Sequence, residues 1–435
     1  MVFIFHHQNE SVMIDEAIQE NSSDSHQSDQ PLKVIMPKVP RLCSCRKSKS
    51  FSFSPIVHNG PISSKEALSS YSSLLMPYEV NEIQRFKEIY FLGYPNVKNQ
   101  ALHDANYHYR FNPKDHLAYR YEIVKVLGSG AFGKVVEAID HKTKKQIAIK
   151  ILINTEDVKE QSKTEASVLA CLNKHKCSNT IKGIDYFYFR SHACITFELL
   201  GESLYLTQIR SNFKPLRQSA VKEYAIQIFQ ALRDCANLGI IHCDLKLENI
   251  CSTLEDSKKI KIIDFGSSCF EDKPYRTYIQ SRYYRAPEVI LGLKYGPKID
   301  VWSAGLIIIE LLTGKPVFPG KNELDMLNLM VDLLGPIPRH MVKHCRKKGA
   351  FFQENGTLKA ACSLKPKKKE VSIPILLGPD AAPQLVDFLE KCLTWSPRSR
   401  MTALDALDHP WLQQKFPSKD SESLPCLQKL LPLVE

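Results

Sequence analysis

Asp244, Lys246 and Asn249 stand close together in Ile240-Ile241-His242-Cys243-Asp244-Leu245-Lys246-Leu247-Glu248-Asn249, and Asp264-Phe265-Gly266 follows fifteen residues after Asn249, behind the apolar run Ile260 to Ile263. Asn249 and Asp264 offer hard oxygen ligands of the kind magnesium takes. Asp244 can accept the proton of a hydroxyl and orient the attacking oxygen. Lys246 brings positive charge to balance a transferring phosphoryl group. The set suits phosphoryl transfer, in which positioning and charge neutralisation supply most of the catalysis. Each short run alone is commonplace; in this order and at these spacings coincidence is negligible.

A second set lies upstream. Leu127 leads into Gly128-Ser129-Gly130-Ala131-Phe132-Gly133-Lys134-Val135. Such a run is weak by itself, because glycines also serve ordinary turns and dinucleotide folds. No helical pattern follows it, which counts against a dinucleotide turn. Lys150 closes the apolar run Ile147-Ala148-Ile149 seventeen residues after Gly133. A lysine there has a plain reading as an edge residue reaching water. Glu165, however, shares a helical face with Val168, Leu169 and Leu172, and a carboxylate on an apolar face needs a cation. Lys150 is the economical partner. The pair would aim the ammonium at the α- and β-phosphates of a nucleotide under the glycine run, which implies ATP.

The patterning supplies elements to position these groups. Short β-branched runs with turn signals between them, Tyr121 to Leu127, Val135 to Ile139, Gln146 to Ile151, Ile184 to Phe189 and Ala193 to Leu199, predict an antiparallel sheet interrupted by one helix at 157–174. Beyond Ser203 the period becomes helical: Val221, Tyr224, Ala225, Ile228, Phe229 and Leu232 share a face, and further helices are predicted at 298–313, 321–335 and 383–393. The fold class is therefore α+β and bilobal, a small β-rich lobe before a larger helical one, with a cleft between them suited to a ligand. Glu288 is expected to pair with Arg400, and Asp300-Val301-Trp302 to start a helix that braces the catalytic run.

With these residues in view, 121–412 resembles the eukaryotic protein kinase fold and its CMGC group. Thr196-Phe197-Glu198-Leu199-Leu200, His242-Cys243-Asp244, Phe265-Gly266-Ser267-Ser268-Cys269 and Tyr278-Ile279-Gln280-Ser281-Arg282-Tyr283-Tyr284-Arg285 resemble the dual-specificity tyrosine-regulated (DYRK) family. Asp115-His116-Leu117-Ala118-Tyr119-Arg120-Tyr121 resembles that family's DH box, and Glu88 to Gly93 the accessory segment of its class 2 members. The resemblance implies Phe197 as gatekeeper of the nucleotide pocket, with Glu198 and Leu200 offering backbone groups to adenine. It also implies autophosphorylation of an activation-loop tyrosine, matched by Tyr278, followed by phosphorylation of protein Ser and Thr, with Pro favoured after the target. Arg276 stands where the first tyrosine of the Tyr-x-Tyr motif would be, and Leu247 replaces the family's proline. Arg282 and Arg285 follow Tyr278 and carry forks that suit a phosphate; a plainer reading has them brace Glu or backbone groups. Cys243 occupies a position where many kinases carry a phosphate-holding arginine.

Organisation and composition bound the rest. Residues 1–75 read as a disordered Ser-rich tail containing Ser54-Pro55, 76–117 as an accessory segment, 121–200 and 201–412 as the two lobes with an insert at about 336–382, and 413–435 as a C-terminal tail. Thirteen cysteines without repeated spacing predict reduced thiols. The net charge of +11 comes from runs such as Arg346-Lys347-Lys348 and Lys365 to Lys369 without a nucleic-acid motif. A solvated face is the plain reading, a nuclear-import or acidic-docking patch the sharper one. No run is long enough to span a membrane. The expected partners are protein substrates, without nucleic acid or membrane, for a monomer in the cytoplasm, with the nucleus as a second compartment. The alternative is a catalytically weak kinase-fold scaffold, which would require a missing Lys, Asp or Asn.

Overall fold

Residues 60–99, 101–273, 278–360 and 371–414, and the backbone of 3–4, are described by the computed structural model. The β-branched runs form β1 (Tyr121–Gly130), β2 (Gly133–Asp140), β3 (Lys145–Leu152), β4 (Gly183–Phe189) and β5 (His192–Glu198). They pair antiparallel in the order β1-β2-β3-β5-β4. The register sets Lys150 opposite Val135 on one side and Ile195 on the other, and Ala148 opposite Phe197. A β-carbon at Gly133 (φ +146°) would lie 2.1 Å from the Ile151 carbonyl oxygen, so the turn into β2 admits only glycine.

Helix α3 (Glu156–Lys174) crosses between β3 and β4 and buries Val168, Leu169 and Leu172 against one face of the sheet. The expected helices follow as α5 (Gln218–Asn237), α6 (Lys298–Thr313), α7 (Glu323–Leu334) and α8 (Pro383–Cys392), with α4 (Leu204–Arg210) ahead of them. Helix α6 is buried from Ile299 to Leu311, as a helix apolar on every side must be, and forms the centre of the large lobe. The Glu288–Arg400 pair forms at 2.7 and 2.8 Å with both side chains fully buried. Insert residues Phe351, Phe352 and Ile373 join the main core, while 361–370, with the basic run Lys365 to Lys369, lie outside the described residues.

The expected boundary at 75 is wrong. Residues of this span that are described are structured: Ile62 pairs with Ile89 at 3.0 and 2.9 Å, and α1 (Ser64–Tyr71), capped by Ser63, buries Ala67 completely. With α2 (Pro77–Glu82) and the DH-box residues, this segment covers the other face of the sheet in a second core of Ile62, Ile83, Ile89, Tyr109 and Leu117 against Ile123, Val136 and Ile149. Its charges converge on Arg190 in the β4–β5 turn, which donates to Glu82 at 3.0 Å, Glu79 at 3.1 Å and the Tyr109 hydroxyl at 2.9 Å. Burial alone would raise the Glu79 carboxyl, but His116 and Lys98 beside it hold it down at about 2. The remainder of the predicted N-terminal tail lies outside the described residues, apart from Phe3–Ile4, which pairs in parallel with Gly128 and Ser129. The predicted tail beyond Gln414 lies outside them too. Among the described residues none of the nine cysteines is joined in a disulfide, and no helix is long and apolar enough to cross a membrane.

Candidate active site

The two sets of chemically suggestive residues meet in one cleft between the lobes. From the sheet, Lys150 donates to both Glu165 oxygens at 3.0 and 2.9 Å and to Asp264 Oδ1 at 2.9 Å. Burial works against its charge, but Asp264 and Glu165 outweigh it and raise the Lys150 ammonium above its usual range; Lys150 in turn holds Asp264 at about 2. Asp264 sits at φ +59° and opens a short turn in which Gly266 N–H donates to its Oδ1 at 3.3 Å. Phe265 tucks beneath, edge-on to His242 at 4.9 Å.

Asp300 at the start of α6 fixes the catalytic run as expected: its carboxylate accepts from the N–H groups of His242 at 2.7 Å and Cys243 at 3.1 Å. Cys243 thereby takes φ +64°, and Asp244 projects into the cleft. Lys246 donates to Asp244 Oδ2 at 2.8 Å. Burial opposes the Lys246 charge, yet Asp244 keeps it raised. Asn249 donates through Nδ2 to the Asp244 carbonyl at 2.9 Å, while its Oδ1 is buried with no protein partner. This orphaned buried acceptor and the Asp264 carboxylate together are the kind of oxygen donors a magnesium ion fits.

The nucleotide residues divide. Gly130, Ala131, Phe132, Gly133 and Val135 line a cleft of about 620 Å³ that reaches Lys150, Asp244 and Asp264. An adjoining apolar pocket of about 470 Å³ is walled by Ala148, Ile181, Phe197, Leu200 and Ile263, with Glu198 at its edge. Leu127, Gly128 and Ser129 lie on β1 but do not line either space. Lys134 departs from its expected place: its ammonium turns to the Tyr109 carbonyl at 3.4 Å, outside the cleft.

Two comparisons bear on this geometry. A protein kinase domain model matches residues 121–412. Dual specificity tyrosine-phosphorylation-regulated kinase 4 of Homo sapiens is 38% identical over 378 residues, covering 83% of this chain and 72% of its own length. The chain belongs to the DYRK family of protein kinases. Mouse dual specificity tyrosine-phosphorylation-regulated kinase 3 is similarly 38% identical over 82% of the chain and 66% of its own length. Kinase 2 of that name from Drosophila melanogaster is 38% identical over 85% of the chain, which spans about half of that relative's length (53%).

The segment that carries the DYRK signature also contains a residue the motifs did not flag. Ser281 donates its hydroxyl to Asp244 Oδ1 at 2.7 Å, its N–H to the same oxygen at 2.9 Å, and accepts from Lys246 at 3.0 Å. Nearby, Gln280 takes φ +64°, and its carbonyl accepts from Arg285 Nη2 at 2.8 Å and Nε at 3.2 Å. The third arm of Arg285, Nη1, reaches Glu323 at 3.0 Å. Arg285 thus braces the Gln280 carbonyl and Glu323, the plainer of the two roles expected of it. Its guanidinium packs 4.1 Å from the centre of the Tyr278 ring, and that tyrosine is 61% exposed. Arg282 opens the short helical turn Arg282–Tyr284. Arg276 and Tyr275 lie outside the described residues.

Proposed function

We propose that the protein transfers the γ-phosphoryl group of ATP to protein hydroxyls, to Ser and Thr of other chains and to its own Tyr278. The observation that carries this reading is the pair of linked circuits across one cleft, Glu165–Lys150–Asp264 at 2.9 Å and Asp244–Lys246–Ser281 at 2.7 to 3.0 Å. A kinase with its lysine–glutamate pair and its metal-binding aspartate both in place has the arrangement that catalysis requires. A silent scaffold would lack one of Lys150, Asp244, Asn249 or Asp264, and none is missing.

In this reading adenine lies between Ala148, Leu200 and Ile263, with Phe197 closing the back and backbone groups of Glu198 and Leu200 at its edge. The glycine loop covers the phosphates and Lys150 holds the α- and β-groups. Asn249 and Asp264 would hold magnesium, whose charge neutralises the phosphate oxygens. Asp244 orients the substrate hydroxyl and takes its proton as the new oxygen–phosphorus bond forms and the bond from the γ-phosphorus to ADP breaks. Lys246 balances the charge on the moving group.

Gln280 supports the expected preference for proline after the target. Its carbonyl is already used by Arg285, so the N–H of an ordinary residue after the target would find no acceptor there. Proline has no N–H to leave unpaired. The reading is tested with peptide substrates and Mg-ATP: the parent phosphorylates Ser and Thr, while Asp244→Asn and Lys150→Met each lose on the order of 100-fold or more in turnover. Equal activity in parent and Asp244→Asn would overturn it.

A further inference from the structure

The loop 101–111 belongs to the accessory segment, yet it reaches both the glycine loop and the β3–α3 link of the nucleotide site. It is a self-supported hairpin: His103 bridges Tyr109, Asp104 N–H donates to the His108 carbonyl at 2.9 Å, and the Asp104 carboxylate accepts from the N–H groups of Asn106 and His108 at 2.9 and 3.0 Å. At its tip Tyr107 adopts φ +60° and turns its carbonyl to Asn154 N–H at 3.1 Å. Asn154 lies in the link between β3 and α3, and the neighbouring Ile153 N–H donates to the carbonyl of Phe132 at the glycine-loop tip, at 3.0 Å. On the other flank Lys134, from the glycine run itself, donates to the Tyr109 carbonyl at 3.4 Å and lies 5.4 Å above the Phe111 ring.

The far side of the hairpin is held firmly. Tyr109 is buried, its hydroxyl accepts from Arg190 at 2.9 Å, and its ring packs edge-on to His192 at 5.2 Å. His192 in turn donates to the Leu152 carbonyl at 2.7 Å, at the end of the strand that carries Lys150. A fixed anchor therefore connects through Lys134 and Asn154 to two elements that must hold still for phosphates to be bound.

We propose that this hairpin is a strap that sets the height of the glycine loop and the β3–α3 link over the nucleotide, which makes Phe111 and Lys134 positioning residues for ATP binding. The inference rests on the kinase reading above. Glycines leave the loop many conformations, and only the fraction in the binding-competent one contributes to affinity, so apparent affinity falls in proportion to that fraction. Releasing the strap therefore weakens ATP binding without touching the reacting groups.

The experiment compares parent, Phe111→Leu, Lys134→Met and the double variant. It reads ATP KM and kcat at saturating peptide, direct ADP affinity by calorimetry, and melting temperature without nucleotide. The expected result is an ATP KM raised about fivefold in each single variant, kcat within about twofold, and a double variant no worse than Lys134→Met alone, because the Phe111 ring acts through the Lys134 ammonium. Phe111→Tyr and Lys134→Arg, which keep ring and charge, should stay within about twofold of the parent. Unchanged KM and ADP affinity in both singles, additive effects in the double, or loss of kcat in step with melting temperature would each overturn the strap. A parent that binds ADP but transfers no phosphate would sink the kinase reading, while the calorimetric ratio would still judge the strap; a parent that binds no nucleotide would overturn both.

Discussion

The Ser281 hydroxyl and the Asp244 carboxylate stand 2.7 Å apart, and the Ser281 N–H holds the same oxygen at 2.9 Å. These two hydrogen bonds to one oxygen fix the rotamer of the residue proposed to face the substrate hydroxyl. They also tie the segment after Tyr278 to the run that carries Asp244. Ser281→Ala should lower kcat by roughly 10- to 100-fold, the scale of losing orientation at a general base. ATP KM should stay near the parent value, and Ser281→Thr should retain most activity. Steady-state kinetics on one peptide check all three.

Arg285 caps the Gln280 carbonyl. Peptides with Pro after the target should exceed their Ala counterparts in kcat/KM by about 5- to 150-fold, the equivalent of about 1–3 kcal/mol for one unpaired buried N–H. Arg285→Lys, which loses the two-pronged cap, should narrow that ratio. A ratio near one in the parent would contradict the Gln280 argument.

Glu310 is buried in α6 and accepts from the Tyr284 hydroxyl at 2.8 Å. Burial raises its carboxyl from 4.5 to about 7, with the Tyr284 bond opposing and Glu248 adding to the rise. The folded chain therefore binds this proton more tightly than the unfolded chain does. Its stabilising contribution is complete below about 4.5 and is lost as pH rises to about 7. The span corresponds to roughly 3 kcal/mol. Urea midpoints of Glu310→Gln relative to the parent should improve progressively from pH 5 to pH 8; a constant difference would show that Glu310 does not titrate there.

Arg190 carries the accessory segment on the sheet through Glu79, Glu82 and Tyr109. Arg190→Met leaves two carboxylates without their shared cation and should cost about 3–5 kcal/mol. Thermal or denaturant unfolding checks the size. A variant as stable as the parent would mean that Lys98 and His116 suffice for the cluster.

Much of this site is legible in the sequence because its chemistry fixes both residue type and spacing. Lys150, Glu165, Asp244, Asn249 and Asp264 each occupy a position where only one or two side chains can do the work, and the apolar runs around them dictate strand or helix. Ser281 carries no such mark, since a serine in a loop is ordinary until the fold brings it against Asp244. Lys134 reads as part of the glycine run, and only the tertiary path of 101–111 shows where its ammonium goes. Helix α1 was hidden because it buries Ala67 alone, too thin an apolar stripe to stand out among serines. Arg285 kept two readings open in the sequence because a fork suits a carbonyl and a carboxylate as well as a phosphate.

Intact-mass and peptide mass spectrometry of the bacterially expressed chain beside Asp244→Asn, each incubated with Mg-ATP and a generic basic protein, tests the central claim most directly. The account predicts phosphate on Tyr278 and on substrate Ser and Thr with the parent, and on neither with the variant. A folded parent that modifies neither, or a variant that modifies both as well as the parent does, would contradict it.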